Sequence, residues 1–136
     1  MFAALHSIGF VSVILAFAAN VAVGFYWYSP SGFGSTWMKL AGLTREKLEK
    51  NNAALASALI LNFITTAAIA IVFALIDVRG VFESIAIAML LWLGFIVTNH
   101  LKFALFEGRS IKLMGIYCGQ SLVSFVLMGI ILGAFR

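Results

Sequence analysis

A chain of 136 residues, 63% of them hydrophobic and only 10% charged, carries more apolar surface than a soluble domain of that length can hide. Lipid is the solvent that suits this composition, and a single Pro leaves long helices free to satisfy their own backbone in it. A net charge of +4 would point a soluble protein towards nucleic acid; here the basic residues flank apolar runs, so they read as an orientation signal and no nucleic-acid partner is expected.

The first apolar run covers about residues 5–28. Its start has neither a basic n-region nor a cleavage-site pattern, so it reads as a retained helix rather than a signal peptide. It closes on Tyr26, Trp27 and Tyr28, a cluster suited to the headgroup level. Ser29 and Pro30 end the helix, and Gly32 and Gly34 loosen the connection after it. Residues 35–41, with Trp37 and Met38, suit an interfacial turn. Thr44 reads as an N-cap to a short exposed helix with Arg45–Glu49 and Glu46–Lys50 at i,i+4 spacing, expected to run on into the second span.

The second span is placed at about 54–76, the third at 83–106 and the fourth at 112–134, with a polar turn from Asp77 to Gly80 and a short loop from Glu107 to Ser110. Apolar runs beyond about 18 residues are long enough to cross a bilayer, and none shows the alternation that a barrel strand needs. The expected fold is an all-α membrane protein: one domain, 1–136, of four transmembrane helices in an antiparallel bundle. Lys39, Arg45, Lys47, Lys50, Lys102, Arg109 and Lys112 share one side, against Arg79 and Arg136 on the other. That bias places the connection 29–53 in the cytoplasm and both termini outside the cell membrane.

Gly24-Phe25, Phe33-Gly34 and Lys39-Leu40-Ala41-Gly42 have weak echoes in Gly94-Phe95, Phe106-Glu107-Gly108 and Lys112-Leu113-Met114-Gly115. The echo suggests a parallel repeat of two helical hairpins. Trp27-Tyr28-Ser29-Pro30, Phe33-Gly34 and Trp37, with Trp92-Leu93-Gly94-Phe95, Phe106-Glu107-Gly108-Arg109-Ser110 and Gly119, resemble the signature of the family known as domain of unknown function 1761. The resemblance spans nearly the whole chain. It implies a small four-helix membrane protein and no particular activity.

Function has to be sought in the few polar groups within the spans. Asn20, Asn62, Asn99 and Gln120 each lie seven or eight residues from the end of their span on the basic side, ~10–12 Å at ~1.5 Å per residue. One carboxamide per helix at one level is either interhelical glue or a polar layer around a solute. Thr98, His100 and Lys102 surround Asn99 and make it the first choice for solute contact. His100 with Lys102, Glu107 and Arg109 is a cluster that either relays protons or snorkels to the headgroups. Gly115, Gly119, Gly129 and Gly133 fall on one face of the last span, for packing within the monomer or along a dimer seam.

The lone Cys118 excludes an internal disulfide, no metal-ligand set or cofactor motif is present, and an enzyme or proton pump is disfavoured. The expectation is a homo-oligomer in the lipid bilayer that binds or passes a small neutral or weakly charged solute. The alternative is an accessory subunit packed against other membrane proteins.

Overall fold

The structure is a computed structural model that describes residues 1–136. Helix α1 (Phe2–Leu5) is a single turn, and α2 (Phe10–Trp27) is the first span. The two are separate because Ser7 Oγ turns back to the Ala4 carbonyl at 2.7 Å and Gly9 is extended. Hydropathy alone does not register such a break, so the span starts at Phe10 rather than near residue 5.

Helices α3 (Gly34–Ala41) and α4 (Arg45–Glu49) form the first connection. Thr44 Oγ1 caps α4 by accepting from the Lys47 N–H at 3.3 Å. Of the two i,i+4 pairs, Glu46–Lys50 closes at 2.8 Å and Arg45–Glu49 forms no ion pair. The acid is N-terminal to the base only in the pair that closes, which is the favourable order on a helix. Helix α4 does not run on into the second span. Lys50 ends it, and the Asn51 side chain starts α5 (Asn52–Leu75) by accepting from the Ala54 N–H at 3.1 Å.

The third span is one rod in three parts: α6 (Gly80–Leu91), a π-helical segment (Trp92–Val97) and α7 (Thr98–Glu107). Gly108, at φ 63°, takes the left-handed cap conformation that lets the chain turn at once into α8 (Ile111–Ala134). Four rods, Phe10–Trp27, Asn52–Leu75, Gly80–Glu107 and Ile111–Ala134, are long and apolar enough to cross a membrane, with mean hydropathy between 1.8 and 2.4. Only 23 of the 136 residues are buried, while Leu61, Phe82, Leu105 and Phe106 lie bare. Water would not tolerate that surface, and the chain is a helical membrane protein with its apolar flanks turned to lipid.

Helix α8 is the hub. It packs along α6 on one side and α2 on the other, and α5 leans on α2. The main core gathers Val13 and Ala16 of α2, Ile69, Ala70 and Phe73 of α5, Ala88 of α6, and Phe125, Met128 and Leu132 of α8. All of these lie towards the end where the termini and the α5–α6 turn meet. That end is also tied by polar contacts: Arg136 Nε donates to the Val78 carbonyl at 2.7 Å, and Arg79 pairs with Asp77 at 2.6 Å.

At the opposite end α5 parts from the bundle, while Ala104 of α7 and Leu113 and Met114 of α8 keep a small second core against Trp37, Leu40 and Ala41 of α3. In α5 nothing before Thr66 is buried, and in α7 only Ala104 is. The row of small residues in α5 therefore splits, with Thr66, Ala70 and Ala74 packed and Ala54 and Ala58 exposed. The bundle is closed at one end and open at the other, on the side of the basic connections.

Candidate functional site

The turn after α2 sets up the open end. Residues Trp27 to Gly34 fold back so tightly that a Cβ on Gly32 would sit 2.5 Å from the Tyr26 carbonyl oxygen. A Cβ on Gly34 would come still closer to the Tyr28 carbonyl oxygen. Only glycine fits either place. The fold-back stacks Phe33 on Trp27 at 4.7 Å and Trp37 on Tyr28 at 4.6 Å. It also orients the Trp27 indole, whose N–H donates to the Ile116 carbonyl of α8 at 3.0 Å. Trp92 does the same from the third span, donating to the Cys118 carbonyl at 2.9 Å. Two indoles from two spans thus grip a single turn of α8 from different sides, using second lone pairs on its helical carbonyls.

The π segment sets which side chains of the third span face α8. Ser84, Ala88, Trp92, Ile96, His100 and Ala104 all step by four, and each is buried or half-buried. In a regular helix four residues overshoot a turn by roughly 40°, so such a row would wind away from α8. The extra residue of a π turn takes back roughly 100° and keeps His100 and Ala104 beside α8. The three side chains just beyond it turn back onto its carbonyls. Thr98 Oγ1 donates to Gly94 at 2.7 Å, Asn99 Nδ2 to Phe95 at 2.7 Å, and His100 Nδ1 lies 2.9 Å from the Ile96 oxygen. A carbonyl only accepts, so His100 carries its proton on Nδ1 and, when neutral, leaves Nε2 to accept.

No hydrogen bond joins any two of the four carboxamide side chains. Asn20 is buried, and its Nδ2 reaches the Asn62 carbonyl at 3.4 Å and Thr66 Oγ1 at 3.5 Å. Gln120 lies near Gly24 of α2 and donates to Ser124 Oγ at 3.0 Å. Asn62 is half-buried, and its side chain makes no hydrogen bond within the chain. Asn99 is exposed on the flank of α7, away from the other three, and so is Thr98. Lys102 is exposed too, its Nζ 5.2 Å from the centre of the Phe103 ring.

The glycines of α8 also part company. A Cβ on Gly133 would meet Ser84 Oγ at 2.5 Å and one on Gly129 the Ser84 carbonyl oxygen at 3.2 Å, so these two face α6. A Cβ on Gly119 would meet the Trp27 ring at 3.0 Å. Gly115 is exposed and has nothing within 4 Å, so it packs on nothing in the chain. The glycine row is three contacts and a gap rather than one seam.

What the open end does form is a cleft of about 480 Å³ between α7 and the start of α8, within the size range of small-molecule sites. Asn99, His100, Phe103 and Glu107 line it from α7, Arg109 from the loop, and Met114 and Tyr117 from α8. The His100 and Tyr117 rings are 5.8 Å apart. Glu107 and Arg109 form an ion pair at its outer end. The cleft offers a carboxamide, an imidazole and a phenol beside two apolar walls, a donor and acceptor set suited to binding.

Sequence alone singles out Asn99, His100, Glu107 and Arg109 at this place but not Phe103, Met114 or Tyr117. The signal for them is the four-step row, which turns α7 so that these groups border one cleft. Over residues 11–133 the chain matches the profile of a family described as a protein of unknown function, DUF1761. No curated protein and no solved structure matches it. Since that match takes in the glycine fold-back, both gripping tryptophans and every residue of the cleft, the chain belongs to the DUF1761 family.

Proposed function

We propose that this protein is a membrane-embedded binding unit for a small neutral or weakly charged solute, with the cleft between α7 and α8 as its site. The observation that carries the reading is the cleft itself: about 480 Å³ lined by Asn99, His100 and Tyr117 at the one end where the bundle opens. Permeation through a single protomer draws less support, because Asn20 and Gln120 bond within the bundle. No buried side-chain nitrogen or oxygen lacks a partner there. On the positive-inside argument the cleft faces the cytoplasm and both termini lie outside the cell membrane.

The reading is tested by heat unfolding of purified protein across a panel of small solutes. A solute that raises the midpoint should lose its effect in Asn99→Leu and Tyr117→Phe, both with the parent's midpoint in its absence. A panel whose stabilising members act equally on parent and variants places the site elsewhere.

A second reading, an accessory or homo-oligomeric subunit, draws on the bare half of α5. There the unpaired Asn62 side chain lies ~15 Å from the start of its helix. A carboxamide in hydrocarbon favours a partner that can bond it. Asn62→Leu would then shift the oligomer distribution on gel filtration and leave solute stabilisation intact.

A further inference from the structure

We infer that the ligand of the α7/α8 cleft is a phosphate-bearing anion, and specifically the headgroup of an anionic phospholipid; this rests on the cleft being the binding site. Charge is the first argument. Glu107, the one carboxylate at the cleft, is already paired with Arg109. Lys102, whose ammonium lies over the lining ring of Phe103, and Lys112, in the first turn of α8, have no acidic partner. The cleft is therefore flanked by uncompensated positive charge, with Lys112 at its outer end, the level of the helix termini where headgroup phosphates lie.

The set of groups along the cleft is the second argument. From Glu107 at the end of the helix, paired with Arg109, it reaches Asn99, eight residues or ~12 Å deeper along the rod. Arg109 and, two residues before Met114, Lys112 come first, then the apolar walls of Phe103 and Met114 with Lys102 beside the Phe103 ring, and then Asn99 and Tyr117, available to hydrogen-bond ester oxygens. A phosphodiester amphiphile presents a group to match each of these: one negative charge, polar linkages, hydrocarbon. A free anion would use the mouth and leave the deeper part empty.

The test uses the whole protein, stripped of lipid in an uncharged detergent, with heat unfolding followed by tryptophan fluorescence. The probes are phosphatidylglycerol, phosphatidylcholine and inorganic phosphate at matched ionic strength. Phosphatidylglycerol should raise the midpoint more than phosphatidylcholine, and Lys102→Gln/Lys112→Gln should lose that difference while keeping the parent's lipid-free midpoint. Both lysines are exposed, so folding is not at risk. Equal shifts from the two lipids overturn the anion; if Asn99→Leu then abolishes both shifts, the cleft stands as the site without it. An equal shift from inorganic phosphate overturns the lipid and leaves a soluble anion. A preference that survives both the lysine pair and Asn99→Leu overturns the location.

Discussion

At the residue scale, the glycines of α8 show how much one methyl group can reveal. Gly133 lies against Ser84, where an added Cβ would be 2.5 Å from the hydroxyl and 3.0 Å from the Gly80 carbonyl oxygen. Gly133→Ala must push α6 and α8 apart, at a cost of about 1–3 kcal/mol typical of overpacking. Gly115→Ala meets nothing, and in a helix interior it is expected to be neutral or stabilising by up to about 1 kcal/mol. Heat unfolding of the two variants checks this, and equal destabilisation by both would contradict the packing described. The alternation of three and four residues identifies these glycines as neighbours on one helix. What each faces depends on the partner helices, which periodicity within α8 does not specify.

At the element scale, the π segment organises the third span. Inserting one alanine after Phe95 should carry α7 round by roughly 100° relative to α6. His100 and Ala104 would then leave α8, while Ser84 and Ala88 on the far side of the segment would stay. The expected outcome is a folded protein with its closed end intact and no solute stabilisation. Amide hydrogen exchange checks it, faster in α7 and unchanged in α6, whereas unchanged exchange in α7 would show that the segment does not set its facing.

This element also explains which parts of the fold and site are legible in the sequence. The spans are, because hydrocarbon runs of that length have few other uses. The depth of Asn99 is, because rise per residue is nearly constant. Its direction is not. Asn99 lies seven residues after Trp92, and in a regular helix seven residues return nearly to the same face, towards α8. The π segment gives that place to His100 instead. Thr98, Asn99 and His100 read as polar groups in search of a ligand, and in the fold all three bond back to the segment's carbonyls. Tyr117 passes as one more aromatic in an apolar helix, since nothing local distinguishes a cleft-lining ring from one that anchors in the membrane.

At the scale of the whole molecule, the bundle is clamped where the termini meet and splayed where the cations gather. The orientation proposal predicts sidedness in a background without Cys118. In intact cells an impermeant thiol reagent should label a cysteine replacing Phe82, which is 91% exposed near the closed end. It should leave a cysteine replacing the exposed Ser35 untouched, and the reverse pattern would invert the protein. The central claim is that the cleft between α7 and α8 is a polar binding site rather than one more stretch of the apolar flank that hydrocarbon chains cover. Its most direct measurement compares two cysteine variants of similar depth, Asn99→Cys in the cleft and Leu61→Cys on the bare face of α5, in the same background. With purified protein in detergent, a charged, water-soluble thiol reagent should modify position 99 rapidly and position 61 slowly, and a stabilising ligand should protect position 99 alone. Equal rates at the two positions, unchanged by that ligand, would contradict the account.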